Sequence, residues 1–335
     1  MKSALARLVG EWPTIAMLLA CYAAWVTGTT LLAQHALGAA VVVTALAVAL
    51  FSSLQHEMIH GHPFRDPRAN AALVFPAFSL VIPYERFRDI HLAHHYDADL
   101  TDPYDDPESN YLDPAHWAAL PGWLRRVLLF NNTLFGRILI GPLVGQVGFL
   151  LAEWRDHRAG DARVLRGWLL HVPAFALVLA WIWLAPMPFW AYALAVWLGL
   201  GIIKIRTFLE HRAHEAARAR TAIVEDGGPL AWLFLNNNLH VVHHAHPEVP
   251  WYRLPALYRS RRARWLAMNE SYLYKGYGEV FRRYLFGRKD PVPHPLMEPQ
   301  PRTGSVGGGP RSGRRGSTKA STARVTGAIS SPSSA

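Results

Sequence analysis

The sequence has one cysteine, Cys21, set in an apolar run. That excludes a disulfide framework, a thiolate metal site and an iron–sulfur cluster, each of which needs several. Charge is scarce too. Of 335 residues 17% are charged, against 51% hydrophobic, and 13 are Trp, which is too apolar for an ordinary cytosolic domain. The scarcity is patterned: no Lys or Arg separates Arg7 from Arg65, and no residue of either charge lies between Arg166 and Lys204. No plain cleavable signal peptide is read, because the first apolar run is long and no clear small-residue cleavage site follows it. The net charge of +10 has much of its excess in the loops and toward the C-terminus, and no nucleic-acid partner is expected.

The charge gaps enclose long apolar runs. After a basic lead-in at 1–11, the chain from Pro13 to about Gln34 is long enough to cross a bilayer, which takes about 20 residues. An uncharged turn near His35 and Gly38 follows, then a second run from Ala39 to Leu54. The pair reads as a tight hairpin whose far loop lacks positive charge, so both its ends belong in the cytoplasm. A second pair, roughly 167–185 and 189–209, turns at Pro186 and Pro188 and ends among Lys204, Arg206, Glu210 and Arg212. The expected fold is all-α and integral to a membrane, with four transmembrane helices in two hairpins and a cytoplasmic helical cap. Both termini fall on the cytoplasmic side. Ala71 to Pro83 is too short to cross and reads as re-entrant or interfacial. Residues 122–154 read as amphipathic helices on the membrane, and 213–285 as cytoplasmic helices and loops. The membrane domain takes in 12–290. From 291 to 335 the chain is rich in Gly, Ser, Pro and Arg and reads as a disordered basic tail.

What the sequence does have is histidine, 17 in all. Eight fall in three short boxes: His56 and His60; His91, His94 and His95; His240, His243 and His244. Positions i, i+3 and i+4 share a helix face, so each box can aim two or three imidazoles at one point. Imidazole is the commonest metal ligand. His211 follows the fourth crossing helix and is delivered to the same surface. Eight or nine imidazoles are too many for one ion, so a pair of ions with open positions is expected. Imidazole suits Zn, Cu, Fe and Ni; a closed structural zinc site needs only four ligands. A nitrogen-rich open pair beside lipid favours iron and dioxygen. His62, His246 and His214 follow box members or His211 closely and read as supporting residues. His35, His116, His157, His171 and His294 read as structural. Ligating imidazoles usually give their other N–H to a carboxylate or carbonyl. Glu57, Asp89, the acidic run from Asp97 to Glu108, Glu210 and Glu248 are the supply, with no individual role assigned within the run.

The ordered pattern His-x3-His, His-x2-His-His, His-x2-His-His between paired apolar hairpins resembles the membrane fatty acid desaturase and hydroxylase superfamily, over roughly residues 40–260. The resemblance implies a non-haem di-iron centre, two Fe ions held by His56, His60, His91, His94, His95, His240, His243 and His244. His211 is similar to the extra histidine that acyl desaturases carry after their fourth membrane helix. It also implies reductive activation of dioxygen to abstract hydrogen from an unactivated C–H bond. Acyl-CoA desaturases have an Asn four residues before the extra histidine; here that position is Thr207, which argues against acyl-CoA specificity. Asn236, four residues before His240, is a candidate to face the site or to cap.

The leading expectation is an oxygen-dependent desaturase of a lipid acyl chain. Hydroxylation of alkyl or acyl chains and oxygenation of carotenoids are the alternatives on the same scaffold. A membrane metal-binding or transport protein is the alternative from another class, but ion paths need polar residues in the crossing helices, and these helices have almost none. A catalytically dead regulator is opposed by the full set of boxes. Expected partners are the acyl substrate, dioxygen, membrane lipid and a separate ferredoxin-, rubredoxin- or cytochrome-like electron donor. Arg253, Arg259, Arg261, Arg262 and Arg264 form a basic patch suited to an acidic carrier or to lipid phosphate.

Overall fold

A computed structural model describes residues 11–96 and 99–298. The basic lead-in, apart from Glu11, and the tail beyond residue 298 lie outside the described residues. Four helices are long and apolar enough to cross a membrane: α1 (Trp12–His35), α2 (Leu37–Ile59), α9 (Ala162–Leu184) and α10 (Phe189–Thr207). Pro13 opens α1, where a missing N–H costs nothing, and a π-helical stretch, Gly28–Leu32, lies near its end. Ala36, in a non-helical conformation, separates α1 from α2. Pro186 and Pro188 separate α9 from α10.

Between these pairs run α3 (Pro67–Leu73), α4 (Tyr84–Tyr96), α5 (Pro114–Ala119), α6 (Gly122–Asn131), α7 (Leu134–Leu139) and α8 (Gly141–Arg158). Asp66, Asp113 and Thr133 cap α3, α5 and α7 by accepting backbone N–H groups of the first turn. After α10 come α11 (Pro229–Leu233), α12 (His240–Ala245), α13 (Leu254–Ser260), α14 (Arg262–Met268) and α15 (Tyr277–Tyr284). The fold is mostly helical but not strictly all-α. Strands β1 (Ile223–Val224) and β2 (Leu273–Tyr274) pair in parallel, Ile223 with Leu273 and Val224 with Tyr274. Two-residue strands carry too little alternation to show in a sequence.

α2 and α10 form the centre. Half of each apolar window is buried (56% and 50%), against 28% for α1 and α9, so the outer pair presents the larger apolar surface. α2 packs on both α1 and α10. Gly199 of α10 permits the close approach: a Cβ there would stand 2.7 Å from the Ala45 carbonyl oxygen, the small-residue device of helices packed in lipid. Phe78 sits in the middle of the core, stacked on Phe51 at 4.1 Å and on Trp25 at 4.4 Å. Its carbonyl accepts from Tyr192, whose hydroxyl accepts in turn from the Trp25 indole.

Phe78 corrects the interfacial reading of Ala71 to Pro83. Residues 74–83 are irregular, and Val74, Ala77 and Phe78 are buried in protein. Non-helical backbone survives among apolar helices when protein satisfies it; here the Leu80 carbonyl accepts from His171 at 2.9 Å. Asn131 and Arg137, within the segment read as amphipathic helices on the membrane, are also buried. The guanidinium donates to Asn110 Oδ1 (2.6 Å) and to the Asn131 carbonyl (3.0 Å). Residues assigned from composition to the tail pair with the chain at Leu112, whose N–H donates to Val292 and whose carbonyl accepts from His294.

Candidate metal centre

The first box ends α2: His56 lies in its last turn and His60 caps it. The second lies in the last half of α4, and the third is most of α12. His211 stands four residues beyond α10, held by a bridge to Thr221 and by Lys289, which donates to its carbonyl at 2.6 Å. All nine histidines singled out in the sequence come together in two sets. His56, His60, His91, His95 and His243 form one, and His94, His211, His240 and His244 the other. Within each set the ligand nitrogens lie within 4.8 Å of one another. The sets adjoin, since His95 and His244 stack at 4.2 Å.

The second and third boxes do not aim at a single point, as their shared helix face suggests. Each splits. A helix turns about 100° per residue, so i+4 lies some 40° to one side of i and i+3 some 60° to the other. His91 and His95 therefore enter one set and His94 the other; His240 and His244 enter one and His243 the other.

The imidazoles are oriented from behind. His94 Nδ1 meets Asp106 Oδ1 at 2.7 Å, His91 Nδ1 meets Glu108 Oε1 at 3.0 Å, and His240 Nδ1 meets Asn237 Oδ1 at 3.0 Å. Glu210, paired with Arg206 at 2.9 Å, lies 3.7 Å from His240 Nδ1. Acceptors at Nδ1 fix the proton there and leave Nε2 with its lone pair. Those Nε2 atoms then face other Nε2 atoms: His60 to His91 at 3.0 Å, His94 to His211 at 3.0 Å, His240 to His211 at 3.1 Å, His240 to His244 at 3.1 Å. Two such nitrogens can share a cation once both rings carry their proton at Nδ1. His56 Nε2 is buried without any partner. The donor set thus fits metal ions that favour imidazole.

Electrostatics agree. Burial, with neighbouring imidazoles, holds His60, His211, His240, His243 and His244 well below the ordinary histidine pKa and brings His95 down to about 3. Those rings are kept neutral, the form that binds metal. Burial also opposes charge on His94, but Glu108 and Asp106 outweigh it and push its pKa up to about 9. That ring favours a positive charge, whether brought by a proton or by an ion. Burial raises the Glu210 carboxyl pKa from its ordinary value.

Asp106 and Glu108 belong to the acidic run in which no residue stood out by sequence. Asn237 had no signal at all. Asn236, the candidate by spacing, donates instead to the Trp251 carbonyl at 3.1 Å. α12 begins only at His240, so no helix carries the four-residue spacing back to it. His62, His246 and His214 lie outside both sets, beside Glu11, Glu248 and Glu270. Glu57 turns away to accept from the Trp251 N–H.

A cavity of about 270 Å³ reaches the centre, with His91, His211 and His240 in its lining. Its walls are largely apolar, including Val48, Phe51, Ile82, Phe87, Phe149 and Ile203. Thr207 lines it too, with its hydroxyl buried and unpartnered.

The fatty acid desaturase family model matches residues 31–276. Two curated relatives are β-carotene ketolases of Paracoccus sp. The one from strain N81106 / MBIC 01143 is 30% identical over 229 residues, 64% of this chain and 75% of the relative. The one from strain PC1 is 31% identical over 224 residues, with the same coverage. Boxes, helices and family match agree, and the chain belongs to the fatty acid desaturase family.

Proposed function

We propose that the protein is a membrane oxygenase that uses two iron ions to oxidise a carotenoid-type ring to a ketone. The two imidazole sets, opening on an apolar cavity, are the observation that carries it. His56, His60, His91, His95 and His243 would hold one ion, and His94, His211, His240 and His244 the other. Iron there supplies reductive activation of dioxygen for C–H oxidation. The chain's own residues do the rest: Asp106, Glu108 and Asn237 keep protons at Nδ1, and the apolar walls take up a lipophilic substrate and exclude water.

Sequence reasoning put acyl desaturation first and carotenoid oxygenation among the alternatives. The ketolase relatives favour the oxygenase branch; Thr207 in place of the acyl-CoA desaturases' Asn speaks only against acyl-CoA specificity. In this reading the four apolar helices cross the membrane as two hairpins. The boxes form a helical cap on the cytoplasmic side, within a membrane domain of about residues 12–298. Electrons come from a separate one-electron carrier protein, because the lone cysteine allows no iron–sulfur cluster.

The test is expression in a host that accumulates β-carotene, beside a His94→Ala variant. Ketone formed only by the unaltered chain is the expected result. Unchanged β-carotene together with new double bonds in acyl lipids would restore the desaturase reading.

A further inference from the structure

Two cations line the cavity, and they are not alike. Arg206 is held by Glu210. The ammonium of Lys204, one turn before Thr207 on the cavity side of α10, makes no hydrogen bond or close ion pair among the described residues, though Glu108 and Glu210 line the same cavity and act on it electrostatically. Its position is not accidental. A Cβ on Gly145 of α8 would stand 3.1 Å from Lys204 Nζ and 3.6 Å from Cε, so the missing side chain at 145 gives the lysine its place. The side chain of Gln55 of α2, in the same lining, also makes no hydrogen bond among the described residues.

A half-buried ammonium that no acceptor of the protein engages gains a partner when a ligand brings the acceptor. Apolar walls with a few placed polar groups are how a site orients a lipophilic ligand. β-Carotene, a hydrocarbon, offers no acceptor; its oxidation product does.

We propose that Lys204 donates a hydrogen bond to the oxygen that the first oxidation puts on the substrate ring, and so holds the alcohol for a second oxidation at the same carbon. This rests on the ketolase reading above. Turning a ring CH₂ into a ketone removes four electrons. Each round consumes one dioxygen, two electrons from the one-electron carrier and two protons. One oxygen atom enters a C–H bond and the other leaves as water. After two rounds the carbon bears two hydroxyls, and loss of water leaves the C=O. An alcohol that escapes after one round ends the sequence early.

Lys204→Met removes the donor at similar length, and Lys204→Gln restores one. In the β-carotene host, Lys204→Met is expected to raise the alcohol-to-ketone ratio about tenfold, on the scale of one hydrogen bond. Lys204→Gln is expected to bring it partway back. Gly145→Ala, which crowds Nζ, should move the ratio the same way, and it decides the matter if Lys204→Met fails to accumulate. A ratio unchanged by the substitutions overturns the proposal. Absorbance titration of the purified, iron-free protein with β-carotene and its ring-hydroxylated derivative gives a second readout. The wild type is expected to favour the hydroxylated ligand about fivefold, and Lys204→Met to lose that preference; equal affinities in the wild type overturn the proposal. If the wild type makes no oxygenated carotenoid, the ketolase reading falls and the titration alone decides the role of Lys204.

Discussion

Asp106 shows how much the centre asks of single residues. It is fully buried, and one carboxylate orients His94 while accepting the N–H groups of Thr101 and Glu108. Removing a group that orients a metal-binding imidazole typically costs 10–100-fold in metal affinity. Asp106→Ala is expected to weaken iron binding by about that much, read by equilibrium iron titration of the purified protein. Asp106→Asn keeps an amide oxygen that can accept from His94, as Asn237 does for His240, and is expected to lose less; affinity of Asp106→Ala equal to the wild type would reduce Asp106 to a loop brace. At this scale the histidines were legible because metal ligation imposes a helical spacing on them. Asp106 and Glu108 were visible only as part of a crowd, since a carboxylate reaching from a loop obeys no periodicity. Asn237 was invisible: the spacing argument chose its neighbour, and it assumed a longer helix than the six residues of α12.

Among the elements, α4 brings histidines to both sets and needs a fixed rotation. Arg86, near its start, supplies an anchor. Its guanidinium grips Glu153 of α8 through bonds of 2.8–2.9 Å, and Glu153 also accepts from the Trp168 indole of α9. Arg86 and Glu153 are both buried. Breaking one side of such a pair costs about 3–5 kcal/mol, whereas replacing both with apolar residues costs far less. Arg86→Met should therefore lower Tm in detergent and release iron, and Arg86→Met with Glu153→Leu should recover much of both. Equal stability of Arg86→Met and wild type would remove the anchor. The long elements were legible from their charge gaps, and the turn at Pro186 and Pro188 fell where the sequence put it. Residues 74–83 were legible only as too short to cross, because a re-entrant segment and an interfacial one have the same composition. The outcome depends on Phe78 finding Phe51 and Trp25, a contact no local pattern reports.

For the whole molecule, the expected sidedness follows from the positive-inside rule. Cys21 is buried, which gives a low background for thiol labelling. Pro186 and Glu248 are both exposed. Pro186→Cys should react with an impermeant maleimide from outside the cell, and Glu248→Cys only after the cytoplasmic face is opened. Labelling of both from the same side would break the two-hairpin topology.

The proposed oxygenase depends on nine imidazoles holding two iron ions. Iron analysis of the purified, full-length protein tests it most directly, with His56→Ala and His240→Ala, one from each set, alongside. The expected result is about two irons per chain in the wild type and about one in each variant. Fewer than one iron in the wild type, or no loss in either variant, would contradict it.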